Sequence, residues 1–371
     1  MKLFHLSDLH LGKRVHGFSL LEDQRYILEQ ILGIIKENTP DGIMIAGDVY
    51  DRSVPSTEAM ELFDRFIFEL SKIGIPAFII SGNHDSAERL AFASRLIKKS
   101  NIFISDAYNG KTAPLKLADE FGSVNIFMLP FIKPVQLRRY FPEAPLESYS
   151  DAVAAAIGQM EIDTDERNIL ITHQFVTGGL RSDSEEASVG ALDNVEAELF
   201  EKFDYVALGH LHRPQNIAAN IRYCGTPIKY SFSEANNKNS ITVVELKEKG
   251  SLELSFIPLD PLRDMIEIKG SYNQVMSHRS DHYARIILTD DEYIPYVMEK
   301  LRTAYPNIMA LDYDNSRSRV NDSELQLAAA EQKQPIELFA DFFKKQNNRD
   351  MTEQQLKYIS GIIDEMRGDD R

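Results

Sequence analysis

The sequence predicts an α/β protein on three observations. Short apolar or β-branched runs alternate with longer amphipathic stripes through about the first 260 residues. Each motif rich in Asp, His or Asn follows directly on one of those runs. The chain of 371 residues is 43% hydrophobic and 26% charged and holds no low-complexity tract, the profile of ordered domains with room for a sizeable core.

The strand-like runs fall at residues 2–6, 42–46, 76–81, 125–129, 168–172, 205–208 and 240–246. Between them lie helical stripes, and one is well punctuated. Met60, Phe63, Ile67 and Leu70 recur at helical spacing, Ser56 is placed to cap the start, and Gly74-Ile75-Pro76 ends it. That stripe is expected to pack on the core. After Pro258-Leu259-Asp260-Pro261 the alternation restarts, with runs at 265–268 and 283–288 and a helix over 293–303. The expected organisation is therefore a main domain over 1–260, a small second α/β unit over 261–315, a polar linker over 316–334 and a helical element over 335–371. In that last element Ile336, Leu338, Phe339, Phe342 and Phe343 line one short helix, and Leu356, Ile359, Ile362 and Ile363 line a second that starts at Thr352. Two isolated helices bury little by themselves, so these stripes are expected either to pack back on the second unit or to dock in the groove of a partner.

Composition excludes several classes. With Cys224 as the only cysteine, no internal disulfide and no cysteine-rich metal site can form. The apolar opening is interrupted at His5, Asp8 and His10, which is neither a signal-peptide core nor a membrane span, so a cytoplasmic protein is expected. A formal charge of −16 argues against a general basic coat for nucleic acid. It does not exclude DNA, because bound cations invert the local charge of a carboxylate cluster.

Five motifs carry the chemistry: Asp8-Leu9-His10, Gly47-Asp48, Gly82-Asn83-His84-Asp85, Thr172-His173 and Gly209-His210-Leu211-His212. Ligands of open α/β sheets bind beyond the carboxyl ends of the strands, so all five should converge there. In extended chain, residues i and i+2 face one side, which lets Asp8 with His10, and His210 with His212, offer paired ligands. Gly47, Gly82 and Gly209 would permit positive φ or close backbone approach. Any one of these residues alone is more simply a cap, a turn glycine or a core histidine, and only the set argues for a metal centre. His5 is expected to be a strand residue near the site, and His16, His278 and His282 to be surface residues.

The series D-x-H, G-D, G-N-H-D, T-H, G-H-x-H resembles the calcineurin-like metallophosphoesterase superfamily. Within it, His5-Leu6-Ser7-Asp8-Leu9-His10-Leu11-Gly12, Gly47-Asp48-Val49-Tyr50-Asp51-Arg52, Ala207-Leu208-Gly209-His210-Leu211-His212-Arg213 and Tyr223-Cys224-Gly225-Thr226-Pro227 resemble the bacterial SbcD nucleases. The resemblance implies a metallophosphoesterase sandwich and a site for two divalent metal ions. One ion would be held by Asp8, His10, Asp48 and His212 and the other by Asp48, Asn83, His173 and His210, with Asp48 bridging. Mn²⁺ suits this mixture of imidazole, carboxylate and amide, with Mg²⁺ or Fe²⁺ as alternatives. His84 is implied as the catalytic acid or transition-state stabiliser, with Asp85 expected to hold its ring. Where archaeal and eukaryotic relatives carry a second histidine, this chain has Asp51, so that histidine's role does not transfer.

The same resemblance implies DNA as substrate and an SbcC-type coiled-coil ATPase as partner, with the nuclease a homodimer within a heterotetramer. It also implies a DNA-facing cap and an ATPase-docking helix pair. Arg52, Arg89, Arg213 and Lys13, with Arg14 and Lys229, are candidate phosphate contacts. The stretch from Thr177 to Glu185 reads as a mobile loop over the crevice. Two other readings stay open on the residues alone: a phosphatase or small-molecule phosphodiesterase on the same scaffold, and a non-catalytic interaction subunit.

Overall fold

The computed structural model describes residues 1–185 and 194–315 and, beyond these, residues 336, 339–340, 343, 351–352 and 354–360. Two compact units divide at Ile266 and Glu267. Leaving aside four two-residue strands, the first unit contains β1 (Lys2–Leu6), α1 (Leu21–Asn38), β2 (Gly42–Ala46), α2 (Thr57–Ile73), β3 (Ala77–Ile80) and β4 (Ile102–Ile104). It continues with β5 (Leu115–Asp119), β6 (Gly122–Leu129), α3 (Tyr149–Gly158), β7 (Arg167–His173) and β8 (Tyr205–Gly209). It closes with β9 (Gln215–Ala218), β10 (Ile221–Tyr223), β11 (Ser240–Leu246) and β12 (Leu252–Pro258).

These strands form two six-stranded mixed sheets, ordered β12-β11-β1-β2-β3-β4 and β9-β10-β8-β7-β6-β5. In each sheet the central pairs are parallel, and antiparallel pairs lie toward the edges. The two sheets pack face to face. Leu3, Met44, Ala46, Phe78 and Ile80 of the first meet Val124, Ile126, Ile169, Ile171, Tyr205 and Ala207 of the second in one buried cluster. Alternate residues of the second sheet, Phe127, Leu129, Leu170, Val206 and Leu208, point the other way and pack with Ala152, Val153, Ala156 and Ile157 of α3. Strands covered on both faces read as continuous apolar runs, which is why the central ones stand out in the sequence.

The helix expected after Ser56 is α2, capped by the Ser56 hydroxyl and ended by Gly74 in the left-handed region. Its buried face differs from the expected one. Ala59, Leu62, Phe63, Phe66 and Leu70 are buried, whereas Met60 is 45% exposed. The true stripe is rotated by part of a turn, because two apolar residues at successive positions let the pattern be read in two phases.

At the end of β7 remote from His173, Arg167 ties the sheets together. Its guanidinium, only 2% exposed, donates to Asp119 at 3.1 Å and to the carbonyls of Gly122 at 2.7 Å and Lys247 at 2.8 Å. A buried cation of this kind persists only when its donors are matched.

The strand β13 (Met265–Gly270) crosses the division, and the second unit continues with α4 (Tyr272–Met276), β14 (Tyr283–Leu288), α5 (Val297–Arg302) and β15 (Ile308–Tyr313), the strands in the order β13-β14-β15. Strands β14 and β15 run parallel. The helix expected over 293–303 starts later, at Val297, because Tyr296 before it is left-handed. The expected linker over 316–334 lies outside the described residues, as do Leu338, Phe342, Ile362 and Ile363 of the expected terminal helices. Residues 354–360 are helical, and Thr352 and Gln355 cap that helix reciprocally, N–H to side-chain oxygen at 3.0 and 3.3 Å. Among the described residues, no helix is long and apolar enough to cross a membrane.

Replacing Asp119 with Asn leaves Arg167 buried beside a neutral group and should destabilise the first unit by roughly 3–5 kcal/mol, the usual cost of breaking a buried pair. Arg167 holds the Asp119 carboxyl well below the usual carboxylate range. A depressed carboxylate stabilises fully above its unfolded pKa of about 3.9 and loses that contribution as pH falls toward its folded value. Thermal melts should therefore show the widest gap between wild type and Asp119→Asn above about pH 5, narrowing steadily below about pH 4. A gap independent of pH would contradict the ion pair.

Candidate metal centre

The inner faces of the sheets run straight into the site. Strand residues two apart share a face, so the core rows Ala46, Ile80, Ile171 and Ala207 continue one step on as Asp48, Gly82, His173 and Gly209. Main-chain bonds carry β1 and β2 beyond their ends, from Asp8 N–H to Gly47 at 3.0 Å, His10 N–H to Asp48 at 2.9 Å and Leu11 N–H to Val49 at 2.9 Å. Asp8, His10, Asp48 and His210 all have positive φ, at 54°, 42°, 48° and 101°. Non-glycine residues in that region cost on the order of 1–3 kcal/mol each and cluster at functional sites.

The expected glycines are needed for two distinct reasons. Gly47 has φ of 89°, and a β-carbon there would lie 2.4 Å from His173 Nδ1. Gly82 and Gly209 serve close approach: a β-carbon would come 2.2 Å from Asp48 Oδ1 at the former and 1.8 Å from the Ala46 carbonyl at the latter.

All seven expected ligands lie together. Nε2 of His10 and Nε2 of His212 are 3.1 Å apart, and ligand atoms of Asp8, His10 and His212 are within 4.8 Å of one another. A second group joins Asp8, Asp48 and His173 within the same limit. Asp48 Oδ2 stands between the groups, 3.6 Å from His10 Nε2 and 3.3 Å from His173 Nε2. The Asn83 amide oxygen is 2.9 Å from both His173 Nε2 and His210 Nδ1. Acceptor atoms from buried imidazoles, carboxylates and an amide thus converge on a small volume, a donor set that fits two divalent cations with nitrogen and oxygen ligands.

Among the protein groups alone, burial pushes the Asp8 carboxyl up to about 6 and, together with the charge of His173, pushes His210 down to about 3. Burial works against charge on His173 too, but the Asp48 carboxylate outweighs it and raises the ring to about 9. Asp48 is held well below the carboxylate range by His173 against the opposing effect of burial. Burial likewise lifts Asp85 to about 6, aided by Asp48.

His84 sits at the rim, its ring edge-on to His10 at 4.8 Å between centroids. Its Nδ1 donates to the Asp51 carbonyl at 2.9 Å and its main-chain N–H to Asp48 Oδ1 at 2.9 Å. One ring nitrogen of His84 also falls within 4.8 Å of ligand atoms of His10 and Asp48. The expected contact from Asp85 to the His84 ring is not made. Asp85 instead accepts from the main-chain N–H groups of Val49 at 3.0 Å, Tyr50 at 2.9 Å and Gly82 at 2.9 Å. Adjacent residues in a turn point apart, so this carboxylate braces the loop that carries Asp48 while Asp51 orients His84.

The candidate phosphate contacts divide. Arg52 is 81% exposed beside Asp51, Arg89 is exposed with one bond to the Ser53 carbonyl, and exposed Arg213 lines a cavity with Arg222 and Lys229. Lys13 is paired with Asp51 at 2.8 Å and Lys229 with Asp264 at 2.9 Å, so neither offers an unpaired charge. His5 is buried in β1 with Nδ1 2.9 Å from the Tyr205 hydroxyl, and His16, His278 and His282 are exposed, as expected.

Sequence reasoning missed three supports of the ligands. The Gln24 amide donates to the His10 carbonyl at 2.7 Å and accepts from Gly12 N–H at 3.0 Å. Glu234 is 3.1 Å from His212 Nδ1. The described part of the 177–185 loop reaches the site itself, with Ser184 Oγ 2.6 Å from His212 Nδ1 and Glu185 accepting from His212 N–H at 2.6 Å. None of these has a spacing signal, because each contact is made across a fold that only the two sheets create.

A family model for calcineurin-like phosphoesterases matches residues 1–214, and a model described as the type 5 capsule protein repressor C-terminal domain matches residues 261–347. The chain belongs to the calcineurin-like phosphoesterases. It is 35% identical over 381 residues to the SbcD subunit of the nuclease SbcCD from Staphylococcus epidermidis, covering 99% of this chain and 100% of that protein. At that level and span, the chain belongs to the SbcD nuclease family. Among solved structures, a Thermus thermophilus protein matches with a TM-score of 0.38 at 11% identity over 69% of this chain and 98% of its own. A dimetal phosphatase from Danio rerio matches with a TM-score of 0.39 at 10% identity over 70% of this chain and 99% of its own.

Gly82→Ala should push the Asp48 carboxylate aside and lower the metal content of a protein that still folds, read by elemental analysis beside circular dichroism. Gly33→Ala is the control, since a β-carbon there meets nothing within 4 Å and a helix interior gains up to about 1 kcal/mol from the change. Full metal content in Gly82→Ala would refute the close approach.

Proposed function

We propose that this protein is a metal-dependent DNA nuclease working with an SbcC-type ATPase, and that Asp8, His10, Asp48, Asn83, His173, His210 and His212 hold its two cations. Asp8, His10, Asp48 and His212 hold one, and Asp48, Asn83, His173 and His210 hold the other. The observation that carries this reading is the position of Asp48 Oδ2 between the two imidazole groups, 3.6 Å from His10 and 3.3 Å from His173. Manganese is the proposed metal, since imidazole, carboxylate and amide donors without thiolate suit it.

When bound, such a pair supplies an acidified water and positive charge for the attacking and leaving oxygens of a phosphodiester. The remaining work falls to side chains. With Nδ1–H committed to the Asp51 carbonyl, His84 has only Nε2 to offer the substrate. As the imidazolium, with a proton on each ring nitrogen, it donates from Nε2 to a phosphate oxygen or gives that proton to the leaving 3′-oxygen. Asp85 acts one step back, holding the Val49 and Tyr50 amides so that Asp48 keeps its position. Exposed Arg52, Arg89 and Arg213 contact the DNA backbone, whereas Lys13 serves chiefly to neutralise Asp51. The small second unit is the DNA-facing cap, and the segment 335–371 docks the ATPase, in an assembly built on a nuclease dimer.

The test is hydrolysis of labelled duplex, hairpin and single-stranded DNA with Mn²⁺, with and without the ATPase, beside a generic phosphodiester. Cleavage of the generic ester alone would make the protein a small-molecule phosphodiesterase. Two variants separate metal holding from chemistry. Asp48→Asn should lose most bound metal and all measurable nuclease activity. His84→Ala should keep both metals and lose about 10²–10⁴-fold in rate, the range for a general acid. A His84→Ala enzyme at the wild-type rate would remove His84 from the reaction. Exhaustive chelation should abolish cleavage and added Mn²⁺ should restore it; activity in protein shown free of metal by elemental analysis would exclude the two-cation site.

A further inference from the structure

His212 is held unlike the other imidazoles of the centre. His173 Nδ1 donates to a main-chain carbonyl, that of Ala46 at 2.8 Å, and His10 Nδ1 is buried without a hydrogen-bond partner, 3.8 Å from Asp51. Among the described residues, His212 is the one proposed ligand imidazole with a hydrogen bond to a carboxylate outside the ligand set. That carboxylate is Glu234, wholly buried in the short turn Phe232–Glu234. A buried carboxylate costs several kcal/mol unless its oxygens are matched by donors. Here they are: Glu234 Oε2 accepts from Tyr230 N–H at 2.9 Å, and Oε1 accepts from Ser182 Oγ at 3.1 Å, from Ser184 Oγ and from His212 Nδ1 at 3.1 Å.

This arrangement fixes the tautomer of His212. Ser184 gives its single hydroxyl proton to Glu234, so its oxygen, 2.6 Å from His212 Nδ1, can only accept. Both neighbours of Nδ1 are then acceptors, and Nδ1 must carry a proton. Nε2 is left with its lone pair, aimed where His10 Nε2 stands 3.1 Å away. Glu185 secures the backbone of the same residue by accepting from His212 N–H at 2.6 Å.

We propose that Glu234, bridged by Ser184, is a positioning residue for His212 that presents Nε2 to the first cation and raises the basicity of the ring. This rests on the two-cation reading above. Carboxylate partners of ligating histidines are worth about 10–100-fold in metal affinity. The effect should fall on the cation of Asp8, His10 and His212 and spare the cation of Asn83, His173 and His210.

Mn²⁺ titration of the full chain by calorimetry, followed by electron paramagnetic resonance, tests the proposal with a readout independent of activity. Wild type should bind two ions and give the spectrum of an exchange-coupled pair. Glu234→Gln keeps the shape and removes the charge; it should weaken one of the two ions by about 10–100-fold and leave the other unchanged. At one equivalent it should give the signal of isolated Mn²⁺, and excess Mn²⁺ should restore the coupled signal. Ser184→Ala, which removes only the bridging hydroxyl of a half-buried loop residue, should weaken the same ion by less. Equal weakening of both ions, or unchanged binding in both variants, would overturn the role of Glu234. A wild type that binds fewer than two ions would overturn the two-cation reading itself, and with it this role.

Discussion

The candidate metal centre depends on how closely the central strand ends of two sheets meet. Gly209 at the end of β8 lies against the Ala46 carbonyl at the end of β2 so tightly that a methyl group would sit 1.8 Å from the oxygen. That same carbonyl accepts from His173 Nδ1 at 2.8 Å, which orients a proposed ligand on one sheet by the backbone of the other. Once those strand ends are joined, the inner face of each strand delivers its next residue into one small volume. The turns that leave the strands must then bend sharply, and Asp8, His10, Asp48 and His210 take positive φ to do so. Strain of this order at four residues, with buried carboxylates besides, has to be offset by the apolar core between the sheets and by the Arg167 clamp at their far end.

A ligand that binds only the folded protein adds to its stability. The convergence of Asp8, Asp48 and four imidazoles is expensive for the polypeptide alone: burial pushes Asp8 up to about 6 and, with the charge of His173, His210 down to about 3. Cations between them would supply the partner charge that the buried carboxylates lack. The formal charge of −16 does not by itself argue against the proposed DNA substrate, because part of it is gathered at the centre, where bound cations would invert the local charge.

Much of the fold was legible because its central strands are covered on both faces. The runs at 2–6, 42–46, 240–246 and 283–288 coincide with strands residue for residue. Strands Ile102–Ile104, Leu115–Asp119, Gln215–Ala218, Ile221–Tyr223 and Leu252–Pro258 are not marked in the sequence because they are short or lie at or beside sheet edges, where one face is polar. The residues that converge at the candidate site were legible through their types, their spacing and their place after strands. Their supports were not. Asp85 follows His84 in sequence, yet its carboxylate turns toward Val49 and Tyr50, while Asp51, more than thirty residues earlier, orients the ring. Gln24, Ser184 and Glu234 reach the centre only through tertiary contacts, and no local pattern marks them.

The most direct measurement of the central claim is an anomalous-scattering crystal structure of the protein soaked in Mn²⁺, with data at the manganese absorption edge. The account predicts two peaks about 3.5–4 Å apart, the spacing of two-metal phosphoesterase sites, with an Asp48 oxygen between them and His212 on one peak only. A single peak, or two peaks that do not share Asp48, would contradict it.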